Sequence, residues 1–451
     1  MTRPGVTRRP RIVPGPRLAP AAALGLPLAL GGDVLGLGAV AAWDALVLVG
    51  AGLEGRALAA RAPEAERHAE ARLVLGVPNT VTVRLHNPTD RAVKVRLRDE
   101  LPEGWEADPP ELAIELPAWA RRDVRYTVVP PRRGVARLGD LHVRVEGALG
   151  LGAAIVEVPA ARDVRVYPNV LGPRRYDLAA RLGALHSQGF RSVRAVGGGG
   201  EFEQLREYVQ GDPFRDLEWK SSAKRQRPIT RVLQQERSQS VLLAIDAGRM
   251  MASRLDAGDG RAVTLTKLDH AINAALLLAY VALRQGDRVG LVVFASDVTT
   301  FVAPARGGPH YRRLLEALFA VQAKIEHVDF RRLAEVIRIR VPRRALLVVF
   351  SDLLDEAHAR PLAEHAAVLR QRHLPVCVTM HDPLAESLAA RAPASLSEAY
   401  ERAAAADLLA ERGSVRAQLR KSGVSIVEAP PGELAVATVN RYLELKARHS
   451  L

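Results

Sequence analysis

Four short runs in the C-terminal half of the chain contain almost nothing polar: SVLLAID at 240–246, DRVGLVVF at 287–294, ALLVVFSD at 345–352 and PVCVTM at 375–380. A strand that is apolar at every position must be buried on both faces, which requires a sheet covered above and below. The sequence between the runs has helical period. At 263–284, Leu268, Ile272, Ala275, Leu276 and Ala279 line one face, and further helices are predicted at about 310–323, at about 330–340, up to His373, at about 397–421 and at 433–448. VTTFVAP at 298–304 reads as an antiparallel hairpin strand, and SIVEAP as a last strand before the final helix. Apolar strands alternating with amphipathic helices predict a doubly wound α/β domain with one hairpin strand at its edge. Two of its strands end in acids, Asp246 after VLLAI and Asp352 after LLVVFS. In a parallel sheet such ends share one edge, the edge where ligands bind.

The bulk numbers allow two or three folded domains: 451 residues, 48% hydrophobic and 25% charged. A formal charge of +14 arises from 64 Lys and Arg against 50 Asp and Glu. Such an excess suits nucleic acid, an anionic membrane surface or simply an Arg-rich composition, and with no basic groove interleaved with aromatics nucleic acid is not the expected partner. The single cysteine, Cys377, excludes an internal disulfide and a thiolate metal cluster, and its apolar surroundings predict a buried, inert thiol.

The first 17 residues are basic and proline-rich, and from Leu18 to Leu53 the only charges are Asp33 and Asp44. This block is nearly twice the length that spans a bilayer and is interrupted at Gly31-Gly32-Asp33, so it predicts a membrane hairpin of two short helices. Arginines flank it on both sides, which places both ends and all that follows in the cytoplasm, at the inner membrane. A rival reading takes 3–41 as a secretory signal ending at Ala39-Val40-Ala41, or as an anchor that exports the rest. Residues 54–72 form an Ala-, Glu- and Arg-rich connector with helical propensity. The period then changes to two: Val81, Val83 and Leu85 alternate with Thr82, Arg84 and His86, and Val93, Val95 and Leu97 with Lys94, Arg96 and Arg98. Short strands with proline and glycine turns predict a β-sandwich of about 90 residues, with Trp105 and Trp119 as core or strand-edge aromatics.

A helix-like piece at 174–187 leads into Gly197–Gly200 and a densely charged segment. The glycines suit a hinge; Glu201 and Glu203 stand where a phosphate loop would need lysine and a hydroxyl. After them acids and bases alternate around Phe202, Tyr208, Phe214 and Trp219. Such a segment is either a strap docked on the sheet domain, anchored by Tyr208 and Trp219 with Arg206 or Arg215 paired to carboxylates, or a surface for a partner.

Glu201, Phe202, Leu205, Arg206, Tyr208, Gly211, Asp212, Arg215, Asp216, Trp219 and Lys220, followed by Asp246, closely resemble the hallmark of the domain-of-unknown-function-58 family. The resemblance implies an immunoglobulin-like sandwich and a von Willebrand factor A-like domain. It gives the boundaries 1–60 for tail and hairpin, 61–165 for the sandwich, 166–236 for linker and hallmark, and 237–451 for the α/β domain. It further implies a MoxR-type AAA+ ATPase as partner. The candidate residues for the strap or partner surface are Glu201, Phe202, Arg206, Tyr208, Asp212, Arg215, Asp216, Trp219 and Lys220.

In the metal-ion-dependent adhesion site of von Willebrand A domains, acids and hydroxyls on three loops hold Mg²⁺, and Asp246 and Asp352 match the first and last acids. The two hydroxyl positions after Asp246 are Gly248 and Met250, and the second loop at 304–310 offers Arg306 and no hydroxyl. The pair therefore holds hydrated Mg²⁺ weakly, with Ser253, Asp256 or Asp259 as substitutes, or it caps helix N-termini and holds no metal. No catalytic constellation stands out; His381-Asp382-Pro383 is a commonplace turn. The expectation is a membrane-anchored binding and assembly factor, not an enzyme. The alternatives are an exported adhesion factor and a hydrolase using Asp246 and Asp352.

Overall fold

The computed structural model describes residues 10–31, 34–147, 149–169, 202–209, 214, 217–233, 239–255, 264–352, 356–381 and 383–448. Asp33, the helix expected at 174–187, the glycines at 197–200, Glu201, Gly211, Asp212, Arg215, Asp216, Asp256 and Asp259 lie outside them. Two compact units divide the chain, one drawn mainly from Met1–Asn169 and the other from Val170–Leu255, Thr266–Leu318 and Gln322–Leu451.

The first unit is β-rich. Period two operates in Asn79–His86, Val93–Asp99 and Leu141–Glu146, whose Val81, Val83, Leu85, Val95, Leu97, Val143 and Val145 are buried while the alternate residues are not. Antiparallel sheets of five and four strands contribute to one core, against which Trp105 packs. Trp119 stands out in solvent at a turn with φ 58°. Asp99, from the five-stranded sheet, accepts hydrogen bonds from Arg67 and Tyr126 of the four-stranded one. Burial, and then the Asp99 charge, push the Tyr126 hydroxyl far above the ordinary tyrosine range.

The connector is helical only to Ala60, because Pro63 has no N–H and disfavours a helical residue before it. Glu64–Ala69 is a strand instead, paired antiparallel with Asn79–His86. The alternation of Ala65, Arg67 and Ala69 with exposed residues outweighs the helical propensity of the composition.

The apolar block differs from two equal helices. A six-residue helix, Leu18–Ala23, and a 3₁₀ turn, Leu26–Gly31, precede one helix of 27 residues, Val34–Ala60. Pro27 cannot donate back to Ala23, so the first helix cannot propagate. The short arm folds back along the long one: Trp43 Nε1 donates to the Ala21 carbonyl at 2.9 Å, and Gly25 sits against the Trp43 ring. Leu37, Leu46, Leu48, Val49 and Leu53 of the long helix are exposed. Among the described residues, Gly36–Ala60 is the one helix long and apolar enough to cross a membrane.

The start and end of the block meet at the same strand of the sandwich. Arg11–Pro14 pairs with Gly152–Val158 at the edge of the five-stranded sheet. The side chain of Glu54 receives four backbone N–H groups from the loop before that strand: Leu149 and Gly150 on Oε1 at 3.0 and 3.2 Å, Leu151 and Gly152 on Oε2 at 2.9 Å each. A carboxylate is an acceptor at both oxygens, whereas an amide would turn N–H donors toward these amides. Glu54→Gln is therefore expected to cost about 2–3 kcal/mol and to speed hydrogen exchange at residues 149–152. Exchange there at the wild-type rate would show that the carboxylate does not hold the loop.

The second unit is α/β. Its six-stranded sheet runs in the order Val298–Ala305, Arg288–Phe294, Ser240–Asp246, Leu346–Phe350, Leu374–Met380, Ser425–Ala429, parallel except for the first pair. Leu242, Ala244, Val292, Phe294, Leu347 and Val349 bury one face with Phe330–Arg340, Glu356–Leu369 and Leu396–Lys421. Lys267–Arg284 and Leu434–Ala447 pack together and lie against strands of the same sheet. Pro383 opens an eight-residue helix, Pro383–Ala390; proline is at home in the first helical turn. Asp382, in the expected turn before it, lies outside the described residues.

Candidate functional site

The register of the central strands decides where the two acids meet. Ile245 lies opposite Phe350 in parallel pairing, so Asp246 and Ser351-Asp352 leave the sheet side by side at its carboxyl edge. They are not an open rim. Asp246 is 1% exposed and Asp352 2%, and both are engaged by the chain itself. Asp246 Oδ1 accepts from the Gly248 N–H at 2.7 Å and Oδ2 from the Ser351 hydroxyl at 2.6 Å. Asp352 Oδ2 takes the ammonium of Lys267, and Oδ1 faces the Arg412 guanidinium at 3.5 Å. The second guanidinium nitrogen of Arg412 donates to the Met380 carbonyl at 3.3 Å.

Local chemistry explains how Lys267 comes to be there. Thr266 and Asp269 form a capping box, Thr266 Oγ1 accepting from the Asp269 N–H at 3.1 Å and the Asp269 carboxylate from the Thr266 N–H at 3.0 Å. The cap makes Lys267 the first helical residue, where a cation opposes the helix dipole. A buried lysine persists in that position because Asp352 neutralises it.

The space beside Gly248, two residues after Asp246, is filled by neighbouring chain. A Cβ on Gly248 would come within 2.6 Å of Val328 Cγ2 and 3.1 Å of the Glu326 carbonyl oxygen. The segment that crowds it is tied down by Lys324 N–H to the Ala247 carbonyl at 2.7 Å and Arg249 N–H to the Glu326 carbonyl at 3.1 Å. These residues do not fit Mg²⁺. A hard divalent cation needs oxygens free to face it, and both oxygens of Asp352 already face cations. Among the described residues no three His, Cys, Asp or Glu side chains cluster as a metal site would require. Cys377 is also buried, and burial, reinforced by Asp352 and Asp246, pushes its thiol up to about 12.

The hallmark segment forms a hairpin of Phe202–Glu207 and Ile229–Leu233 with a short helix, Trp219–Arg225, before the second strand. Ser222 Oγ accepts from the Ile229 N–H at 2.9 Å, and Leu217 bridges to Thr230. Arg206 donates to the Glu207 carbonyl at 3.1 Å, and Glu207 accepts from Arg227 at 2.9 Å. Phe202 opens the hairpin, and Lys220 is exposed on the short helix. Tyr208 stacks on Phe214 at 5.8 Å between centroids. Trp219 does not anchor the segment: it is 71% exposed and Phe214 74%, while Leu217 and Ile229 take the buried positions.

Residues 204–425 match the family model described as protein of unknown function DUF58. An uncharacterized protein of Mycobacterium tuberculosis (strain ATCC 25618 / H37Rv) is 26% identical over 190 residues, covering 42% of this chain and 56% of the relative. One of Mycobacterium bovis (strain ATCC BAA-935 / AF2122/97) matches to the same extent. The chain thus spans about half the length of these relatives. Among solved structures, the conserved hypothetical protein BatB from Bacteroides thetaiotaomicron is 14% identical with a TM-score of 0.31, over 47% of this chain and all of that one. An uncharacterized membrane spanning protein from Vibrio fischeri is 12% identical with a TM-score of 0.18, over 46% of this chain and 98% of that one. Likeness at these scores carries no argument for this chain.

Sequence reasoning found the two acids and missed their partners. Lys267 had a readable signal, a cation at the start of a helix behind a capping box; Arg412, in the middle of an Ala-rich helix, had none. Two outcomes are expected. Gly248→Ser introduces a hydroxyl but collides with Val328, lowering stability in denaturant by about 1–3 kcal/mol; an unchanged midpoint would show that the 324–328 segment yields. Because burial pushes the Cys377 thiol up to about 12 and leaves it 1% exposed, native-state alkylation of Cys377 at neutral pH is expected to be at least on the order of a hundredfold slower than in denaturant, where the thiol regains its ordinary acidity; equal rates in the two conditions would show that the thiol is accessible.

Proposed function

We propose that this chain is a membrane-anchored protein-binding and assembly factor. Its α/β unit is a von Willebrand A-like domain whose adhesion site has degenerated, and it works with a MoxR-type AAA+ ATPase. The observation that carries the reading is the exposure of Trp219 and Phe214 within a segment of alternating charge. Large aromatics standing in solvent beside arginine and lysine are the composition of interface anchors. Their exposure favours a partner surface over an internal strap, and the ATPase is the occupant to which we assign it. The parallel sheet with its antiparallel edge strand supports the von Willebrand A-like reading. Binding is favoured over hydrolysis because Ser351, the Gly248 N–H, Lys267 and Arg412 already occupy Asp246 and Asp352, leaving neither carboxylate to act as a base.

The apolar helix Gly36–Ala60 supports the membrane anchor. We place a hairpin in the bilayer, with the short arm folded on the long one. Both ends return to the Gly152–Val158 strand, and the flanking arginines orient them to the cytoplasmic face of the inner membrane.

A pull-down of the full chain from native membranes, with and without ATP, is expected to recover an AAA+ ATPase. Trp219→Ala should reduce that recovery on the order of tenfold or more at unchanged melting temperature. Recovery of no ATPase in either condition would overturn the partnership, and undiminished recovery by the variant would move the surface elsewhere. A reporter enzyme fused to Leu451 is expected to be active only in the cytoplasm; activity only in the periplasm would reverse the topology.

A further inference from the structure

We infer that Lys267 is a built-in counter-cation that replaces the divalent metal of an adhesion site. The inference rests on the reading of the edge as a degenerate adhesion site and is independent of the ATPase partnership. Three observations on different elements converge. The acid at the end of the Leu346–Phe350 strand has one oxygen on the Lys267 ammonium and the other facing Arg412, and all three side chains are buried, at 2%, 4% and 6% exposure. The acid at the end of Ser240–Asp246 is occupied by a backbone N–H and a hydroxyl. The space beside it, where a hydroxyl ligand would stand, holds Val328 and the Glu326 carbonyl.

Both oxygens of Asp352 already face cations, so a divalent ion would find no free carboxylate oxygen there. The position of Lys267 carries the same message. A lysine at the first position of a capped helix works against the helix dipole, and the arrangement becomes favourable only through the carboxylate it meets. The ammonium thus joins the helix that follows the first acid to the strand that ends in the second.

The test is the thermal melting of the full chain in detergent with EDTA, Mg²⁺ or Mn²⁺, compared with Lys267→Ser and Lys267→Arg. The wild type and Lys267→Arg are expected to melt at the same temperature in all three conditions. Lys267→Ser frees Asp352 and opens room beside it, so millimolar Mn²⁺ should raise its melting temperature by about 2–4 °C. If Lys267→Ser is unfolded in EDTA, refolding in Mn²⁺ should recover it. A wild-type rise with Mg²⁺ or Mn²⁺ that disappears in Asp246→Ala would overturn the inference. So would a Lys267→Ser chain that neither responds to Mn²⁺ nor is rescued by it.

Discussion

A buried carboxylate that faces two buried cations holds the carboxyl edge of the α/β sheet together. Asp352 stands at the end of a central strand, Lys267 opens the helix after the neighbouring strand, and Arg412 comes from a helix on the opposite face. Removing three such groups from water costs several kcal/mol per ion, and the cost is recovered only while all of them are present. The interaction therefore acts less as added stability than as a condition on geometry. The helices on either side and the strand between them are positioned together, and the loops at this edge inherit that position.

The opposite end of the sheet uses the same device. Asp287, fully buried just ahead of Arg288–Phe294, accepts from Tyr442 at 2.5 Å and from Lys446 at 2.8 Å, both on the final helix, and from the Gln239 N–H at 3.0 Å. Burial and the Asp287 charge hold the Tyr442 hydroxyl far above its usual range, so it remains a donor. The sandwich repeats the pattern with Asp99 between Arg67 and Tyr126. In each case a buried acid organises cations that would otherwise lie on the surface.

Much of this architecture is legible from period alone. The runs at 240–246, 287–294, 345–352 and 375–380 coincide with strands because nothing but a doubly covered sheet accepts so many apolar residues in succession. Alternation likewise marks Asn79–His86 and Val93–Asp99. Illegible were the features decided at a distance. Glu64–Ala69 looks helical until its pairing with Asn79–His86 is known. Trp219 looks like an anchor, whereas its ring stands in solvent and Leu217 and Ile229 take the buried positions. Gly248 reads as a missing ligand, whereas the fold requires it because Val328 occupies the place of its side chain. Pairing an aspartate with the right lysine and arginine needs the sheet order, and no local pattern supplies that.

The apolar helix and the sandwich are not a tether and its cargo. Arg11–Pro14 closes one edge of the five-stranded sheet, and Glu54 collects the amides of the loop that leads into the adjoining strand. Starting the chain after Ala60 would strip away a border strand and a fastening carboxylate at once. The Gly152–Val158 strand would be left with a row of unpaired peptide groups, the kind of bare flank through which chains stick to one another. The segment that carries the apolar helix is thus also the cover of one sheet edge.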